Sequence, residues 1–141
     1  MLGSKRGGRL IIETHDFFRR AQEYVQTNTF RDQMKILRHL FGSHQASWAA
    51  HYDGWYRENF EHVLTALGYQ DLKFSTGEWQ GTYNITVTGN KGSPLKASAE
   101  QIRQAEAILG LSLVDESPTE KRMLYTWMGQ FESKGIRSGA A

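Results

Sequence analysis

The sequence predicts an α+β fold, with N-terminal helices, a central antiparallel β-hairpin open to extension into a small three-stranded sheet, and two C-terminal helices. Three observations carry this. Apolar residues recur at helical spacing over residues 15–67 and again over 98–135. Between these stretches, from Trp79 to Val87, they alternate with a period of two among Thr, Tyr, Ile and Val. Seven Phe, six Tyr and four Trp in 141 residues supply enough apolar area for a core that needs no staples.

Taken in order, residues 1–9, with Gly3, Gly7 and Gly8 among Lys5, Arg6 and Arg9, read as a flexible basic arm. Residues 10–135 read as one globular domain and 136–141 as a flexible tail. A first helix is expected from about His15 to Gln26, burying Phe17, Phe18, Ala21, Tyr24 and Val25, with Arg19, Arg20, Glu23 and Gln26 outward. A second should run from about Thr29 to Phe41, capped by Asn28 and stopped by Gly42. Its expected buried stripe is Phe30, Met34, Leu37 and Phe41, widened by Ile36 and Leu40.

A third helical region is expected from about His44 to Leu67, ending at Gly68. Its apolar stripe changes direction at Gly54, where a kink or break is predicted. Leu72 and Phe74 start the β signal; Ser75-Thr76-Gly77-Glu78 reads as the turn between strands 70–75 and 78–88. Trp79, Tyr83, Ile85 and Val87 would then form one apolar face, with Leu10–Ile12 or Leu111–Val114 available as an edge strand. Ser98 with Gln101 predicts a helix start, and Gly110 its end. Ser117-Pro118-Thr119-Glu120 is the strongest helix start in the chain, followed by Met123, Leu124, Trp127, Met128 and Phe131 as a buried face and Gly135 as the stop.

The absence of cysteine excludes disulfides, thiolate metal sites and a Cys nucleophile. No apolar run approaches the roughly 18–20 residues that span a bilayer, so a cytoplasmic protein with no membrane partner is expected. Walker, serine-hydrolase and kinase signatures are missing, and Gly89-Asn90-Lys91-Gly92-Ser93 reads as a turn leaving a strand rather than a phosphate cradle.

On one continuous helix His44, His51, Trp55 and His62 would share a face. At a rise of ~1.5 Å per residue, however, His51 and His62 would lie ~16 Å apart, too far to share one ion. No metal ligand, catalytic residue or cofactor is therefore assigned. Glu58 and His62 are spaced to pair on the helix surface, and Trp55 falls on the histidine side, away from the apolar stripe.

Charge is uneven. Residues 1–40 hold eight Lys or Arg against four acids, whereas the remainder holds nine against eleven. Arg31, Lys35 and Arg38 follow each other along the second helix, and Arg19 and Arg20 sit on the first. Three helices followed by a hairpin resemble the order of a winged helix, in topology alone, since the third region is too long and the expected wing turn carries no basic residue.

The expected function is therefore that of a non-enzymatic binding or assembly protein, a subunit of a larger complex. It would contact nucleic acid, DNA or RNA, through Arg19, Arg20, Arg31, Lys35 and Arg38. One alternative is a protein-interaction or homo-oligomeric subunit using an exposed His51, Trp55 and His62 face. Another is a small hydrolase or nuclease dependent on His51, Glu58 and His62.

Overall fold

We describe residues 7–49, 51, 53–92 and 97–134 of the computed structural model, leaving out the side chain of Trp48. They form an α+β fold. Strand β1 (Arg9–His15) leads into helices α1 (Phe17–Gln26) and α2 (Phe30–Phe41). A 3-10 turn over Ser47–Ala49 precedes α3 (Arg57–Ala66), the hairpin strands β2 (Tyr69–Trp79) and β3 (Thr82–Lys91), and helices α4 (Ser98–Gly110) and α5 (Pro118–Lys134).

The sheet order is β1-β3-β2, antiparallel throughout. Leu10–Ile12 thus becomes the third strand, lying along β3 with Ile12 opposite Val87. Leu111–Val114, the other candidate, forms no strand. Gly7 and Gly8 lie just before β1 and are tied to the end of β3, Gly7 N–H to the Lys91 carbonyl (2.9 Å) and Lys91 N–H to the Gly8 carbonyl (2.8 Å). The rest of the expected arm, and the 136–141 tail, lie outside the described residues.

The hairpin turn falls at Gln80-Gly81, not at 75–78. Both residues have positive φ (+48° and +75°), as the two-residue turn matched to strand twist requires. The displacement changes the meaning of the alternation. A two-residue turn places Trp79 opposite Thr82, so the parity of the inward positions switches across it. Tyr83, Ile85 and Val87 keep one face, while Trp79 joins Thr82 and Asn84 on the other and is 65% exposed.

The dry core lies on the Ile85–Val87 face beneath α3. Phe60 and Leu64 from α3 pack with Tyr69, Ile85 and Val87, flanked by Leu10, Ile12, Leu72, Phe74 and Trp55. Each such burial stabilises by ~1.5–3 kcal/mol. Leu72 packs closely over Gly89 at the core's edge: a Cβ there would lie 2.7 Å from a Leu72 methyl, which would have to shift. The expected long third helix is instead a loop that becomes helical only at Arg57. Asn59 ties the two by accepting from the Tyr56 N–H at 2.7 Å and donating to the Gly54 carbonyl at 2.9 Å. Trp55, expected on an exposed face, stacks on Phe60 at 4.7 Å instead.

Helices α1 and α2 are rotated from their expected faces: Phe17, Ala21, Tyr24 and Leu37 stay half-buried, and Arg19 and Gln26 outward, but others change sides. The Asp16 N–H bonds the Tyr83 carbonyl (2.8 Å), and the Asp16 carboxylate caps α1 through the Arg19 N–H (3.2 Å). This phase turns Arg20 into the protein, where it is only 2% exposed, and leaves Phe18 and Val25 in solvent. On α2, capped by Thr29 rather than Asn28, Ile36 is buried and Leu40 half-buried. Phe30, Met34 and Phe41, roughly 120–160° round from Ile36 at 100° per residue, are exposed.

Helices α4 and α5 pair with each other, and α4 contributes no buried residue. Ala97, not Ser98, occupies the N-cap of α4. The Ser117 cap forms as expected, its hydroxyl accepting from the Glu120 N–H at 3.3 Å. Met128 is the buried residue of α5, with Leu124, Trp127 and Phe131 half-buried. No helix among the described residues is long and apolar enough to cross a membrane.

Candidate functional site

Three histidines from three separate segments meet beside the hairpin tip. His15 ends β1, His39 lies in the last turn of α2, and His51 follows the loop after Gly42. The His15 ring centroid is 4.9 Å from that of His51 and 6.4 Å from that of His39. The α2 C-terminus positions His51 directly. Its Nδ1 lies 3.0 Å from the His39 carbonyl and 3.1 Å from the Leu40 carbonyl, and its backbone N–H bonds the Phe41 carbonyl at 3.1 Å.

Each ring's proton can be placed, because its partner has a fixed role. Carbonyls only accept, so His51 carries its proton on Nδ1 and has a lone pair on Nε2. The Asn84 amide donates to Glu13 Oε1 (3.1 Å) and turns its oxygen toward His15 Nδ1 (3.1 Å), so His15 also donates from Nδ1. Arg20 can only donate; its Nη2 lies 2.6 Å from His39 Nδ1, leaving the His39 proton on Nε2. Two imidazoles thus offer an Nε2 lone pair, and the third offers an Nε2–H.

Arg20 is the unusual member. Its guanidinium pairs with Glu23, donates to the Gly81 carbonyl at 3.2 Å and reaches His39, yet its buried Nε has no hydrogen-bond partner among the described residues. Leaving a buried donor unmade costs ~1–3 kcal/mol. Burial holds both His15 and His39 below the ordinary imidazole range. For His15 the Asn84 bond opposes this, while His51 and Arg20 add to it; for His39, Arg20, Arg38 and His15 add to it. Both rings are thereby biased towards the neutral imidazole.

The cluster opens on two sides. A groove of about 720 Å³ is walled by His15, His39, His51, Arg38, Trp79 and Gln80, with Ser43 and Gln45 along its rim. A smaller pocket of about 300 Å³, lined by Phe17, Asp53, Gly54 and Trp55, reaches His15 and His51 from behind. Gly54 is required there, since a Cβ would sit 2.4 Å from the Phe17 ring.

The structure brings together only part of the expected site. Arg38 lines the groove, and Arg31 and Lys35 are exposed further along α2, with Lys35 paired to Asp32 at 3.1 Å. Arg19 is exposed over the Tyr83 ring at 4.1 Å. Arg20, expected outward, is a buried support. Of the His51, Trp55 and His62 set, His51 joins the cluster, Trp55 packs in the core, and His62 is exposed on α3 outside the groove wall. Glu58 is likewise exposed.

His15, His39, Asn84, Trp79 and Gln80 were missed. The available signal was His15-Asp16, a strand end running into a helix cap, which would have placed His15 at a junction. Among the described residues, no group of three or more His, Asp or Glu has a geometry that would hold a metal ion.

In comparisons with known proteins, no family model, no curated protein and no solved structure matches the chain.

Proposed function

We propose that the chain binds nucleic acid, with a single strand lying in the groove between the C-terminal end of α2, the loop after it and the hairpin tip. One observation carries this reading: a guanidinium (Arg38), an exposed indole (Trp79) and side-chain amides (Gln45, Gln80) converge on one open groove. Those are the groups that hold a strand. Cations take phosphates, indoles stack on unpaired bases, and amides meet base edges. Arg31 and Lys35 extend the charge along α2, so the basic surface is smaller than the sequence suggested and ends at a groove. The chain would act within a larger complex.

Fluorescence polarisation with a labelled 20-mer at ~50 mM salt tests the reading. Binding should weaken steeply towards ~200 mM salt. Arg38→Glu and Trp79→Ala should each raise Kd about tenfold or more. Undetectable binding at low salt, or indifference to Arg38→Glu, would end it.

A second reading, a homo-oligomeric subunit, rests on a different observation. Val25, Phe30, Met34 and Phe41 leave an apolar strip of α1 and α2 in solvent, 81%, 76%, 49% and 53% exposed respectively. Light scattering that returns a monomer at all concentrations tested would count against it.

A further inference from the structure

We propose that the groove also cuts the strand it holds, with His15 and His51 acting as base and acid in the cleavage of RNA. This rests on the reading that a strand lies in the groove.

The geometry that supports it is a pair of imidazoles 4.9 Å apart at 45° to each other. Each is anchored through Nδ1, His15 by Asn84 and His51 by the carbonyls of residues 39 and 40, and neither Nε2 has a partner among the described residues. A merely structural histidine would spend both nitrogens on neighbours, or turn one to bulk water. Here two adjacent rings, 4.9 Å apart, spend only Nδ1 on neighbours and line the same groove. A single proton on this pair makes one ring an acid and leaves its neighbour a base. General acid–base catalysis of phosphodiester cleavage uses such a pair, one group taking a proton as the other gives one.

His39 and Arg38 complete the set. Arg20 fixes the His39 proton on Nε2, so the third ring meets the groove as a donor and not as a competing base. With the Arg38 guanidinium it offers two donors to the non-bridging phosphate oxygens as their charge grows. The Glu13–Asn84–His15 chain makes Asn84 a positioning residue: it holds the His15 ring and its tautomer, and touches no substrate.

In the reaction the His15 Nε2 lone pair takes the proton of a ribose 2′-hydroxyl. The 2′-oxygen forms a bond to phosphorus as the bond from phosphorus to the 5′-oxygen breaks. His51, which enters the step as an imidazolium protonated on both nitrogens, gives its Nε2 proton to that departing oxygen. The products are a 2′,3′-cyclic phosphate and a free 5′-hydroxyl; one proton is taken up and one released, and nothing is oxidised or reduced. His15 leaves protonated and His51 neutral, and exchange with water restores them. DNA, lacking the 2′-hydroxyl, is bound and left intact.

The test incubates the full chain, in EDTA, with three labelled 20-mers of one sequence: RNA, DNA and 2′-O-methyl RNA. Only RNA should be cut, with cyclic-phosphate and 5′-hydroxyl ends by mass spectrometry. His15→Asn and His51→Asn should each slow cutting about 100-fold or more. Asn84→Ala should slow cutting and shift its pH profile, while Asn84→Asp, which restores an acceptor to His15 Nδ1, should recover part of the rate.

If DNA binds and RNA stays whole, cleavage is wrong and the binding reading stands. If neither strand binds, the binding reading fails as well. Cutting that survives in both histidine variants, that needs an added divalent cation, or that extends to the 2′-O-methyl strand overturns the proposal, the last whether or not the variants fold.

Discussion

The two regions around the sheet are built on opposite principles. Under α3, the Ile85–Val87 face is dry: Phe60, Leu64 and Val87 are at most 2% exposed and are apolar throughout. At the end of the sheet, α1 and α2 bury Asp16 and Arg20 and half-bury three histidines, yet leave Val25, Phe30 and Phe41 in water. The first region contributes stability through area; the second spends some of it, through an Arg20 Nε with no partner among the described residues and two imidazoles biased towards the neutral form. Functional sites depart from local rules in this way, and the departure marks the region where chemistry is to be sought.

The contrast can be broken most sharply from its dry side. Leu64→Ala should cost about 2–5 kcal/mol in urea unfolding. The 60%-exposed Ile11 on the opposite sheet face should tolerate alanine within ~0.5 kcal/mol. Equal losses at both would mean that the core is not where we place it.

Gly54→Val should come next, at about 1–3 kcal/mol, because the new side chain must displace the Phe17 ring. Adding Phe17→Leu should return part of that loss, and the double-mutant cycle reads the coupling.

Arg20→Met should cost less, ~1–2 kcal/mol, since it removes three hydrogen bonds together with the unpartnered Nε. Its sharper signature is a tautomer. Long-range proton–nitrogen NMR should find His39 protonated on Nε2 in the parent and a gain of the Nδ1–H form in the variant. His15 and His51 should keep their Nδ1 protons in both.

The pH dependence should be smaller still. His15 and His39 bind protons less readily folded than unfolded, chiefly through burial, and Arg20, Arg38 and the neighbouring histidines add to this. The unfolded chain therefore takes up protons first as pH falls below the ordinary value of 6.5. Stability present above that pH should be lost as pH drops from there through the lower folded values. Urea midpoints at neutral and mildly acidic pH measure the slope, which His15→Gln with His39→Gln should flatten. A midpoint that rises on acidification would contradict the burial of these rings.

The smallest effect belongs to the exposed strip. Phe30→Gln should change stability by no more than ~0.5 kcal/mol, altering only self-association if a second copy covers that face.

Much of the framework was legible in the sequence. Helical periodicity located all the helices described, Ser117-Pro118 marked the start of α5, and β-branched alternation located β3. A kink or break was expected at Gly54 within a helix from about His44 to Leu67; the chain there is a loop, and helix begins only at Arg57. These features depend on neighbours within a few residues, and a linear pattern records them directly.

Facing was not legible. Helix α2 was expected to bury Phe30, Met34, Leu37 and Phe41, widened by Ile36 and Leu40; Ile36, Leu37 and Leu40 turn inward while Phe30, Met34 and Phe41 do not. The width of that stripe left the phase of the helix open, and what the helix must touch sets it. Parity failed at Trp79 for a related reason: a two-residue turn exchanges the inward positions, and the pattern reads straight through it. The histidine cluster was invisible because its members are separated by 24 and 12 residues and share no element.

The sequence by itself therefore determined the α+β class, the placing of the elements and the absence of any thiol chemistry, since short-range sterics and composition decide these. Only the tertiary structure decided that Arg20 turns inward, that Trp79 stands at a groove, and that His15, His39 and His51 meet with their protons placed. Those facts depend on contacts between distant segments, each fixed by a partner such as Tyr83, Asn84 or the carbonyls at the end of α2, whose position the chain acquires only on folding.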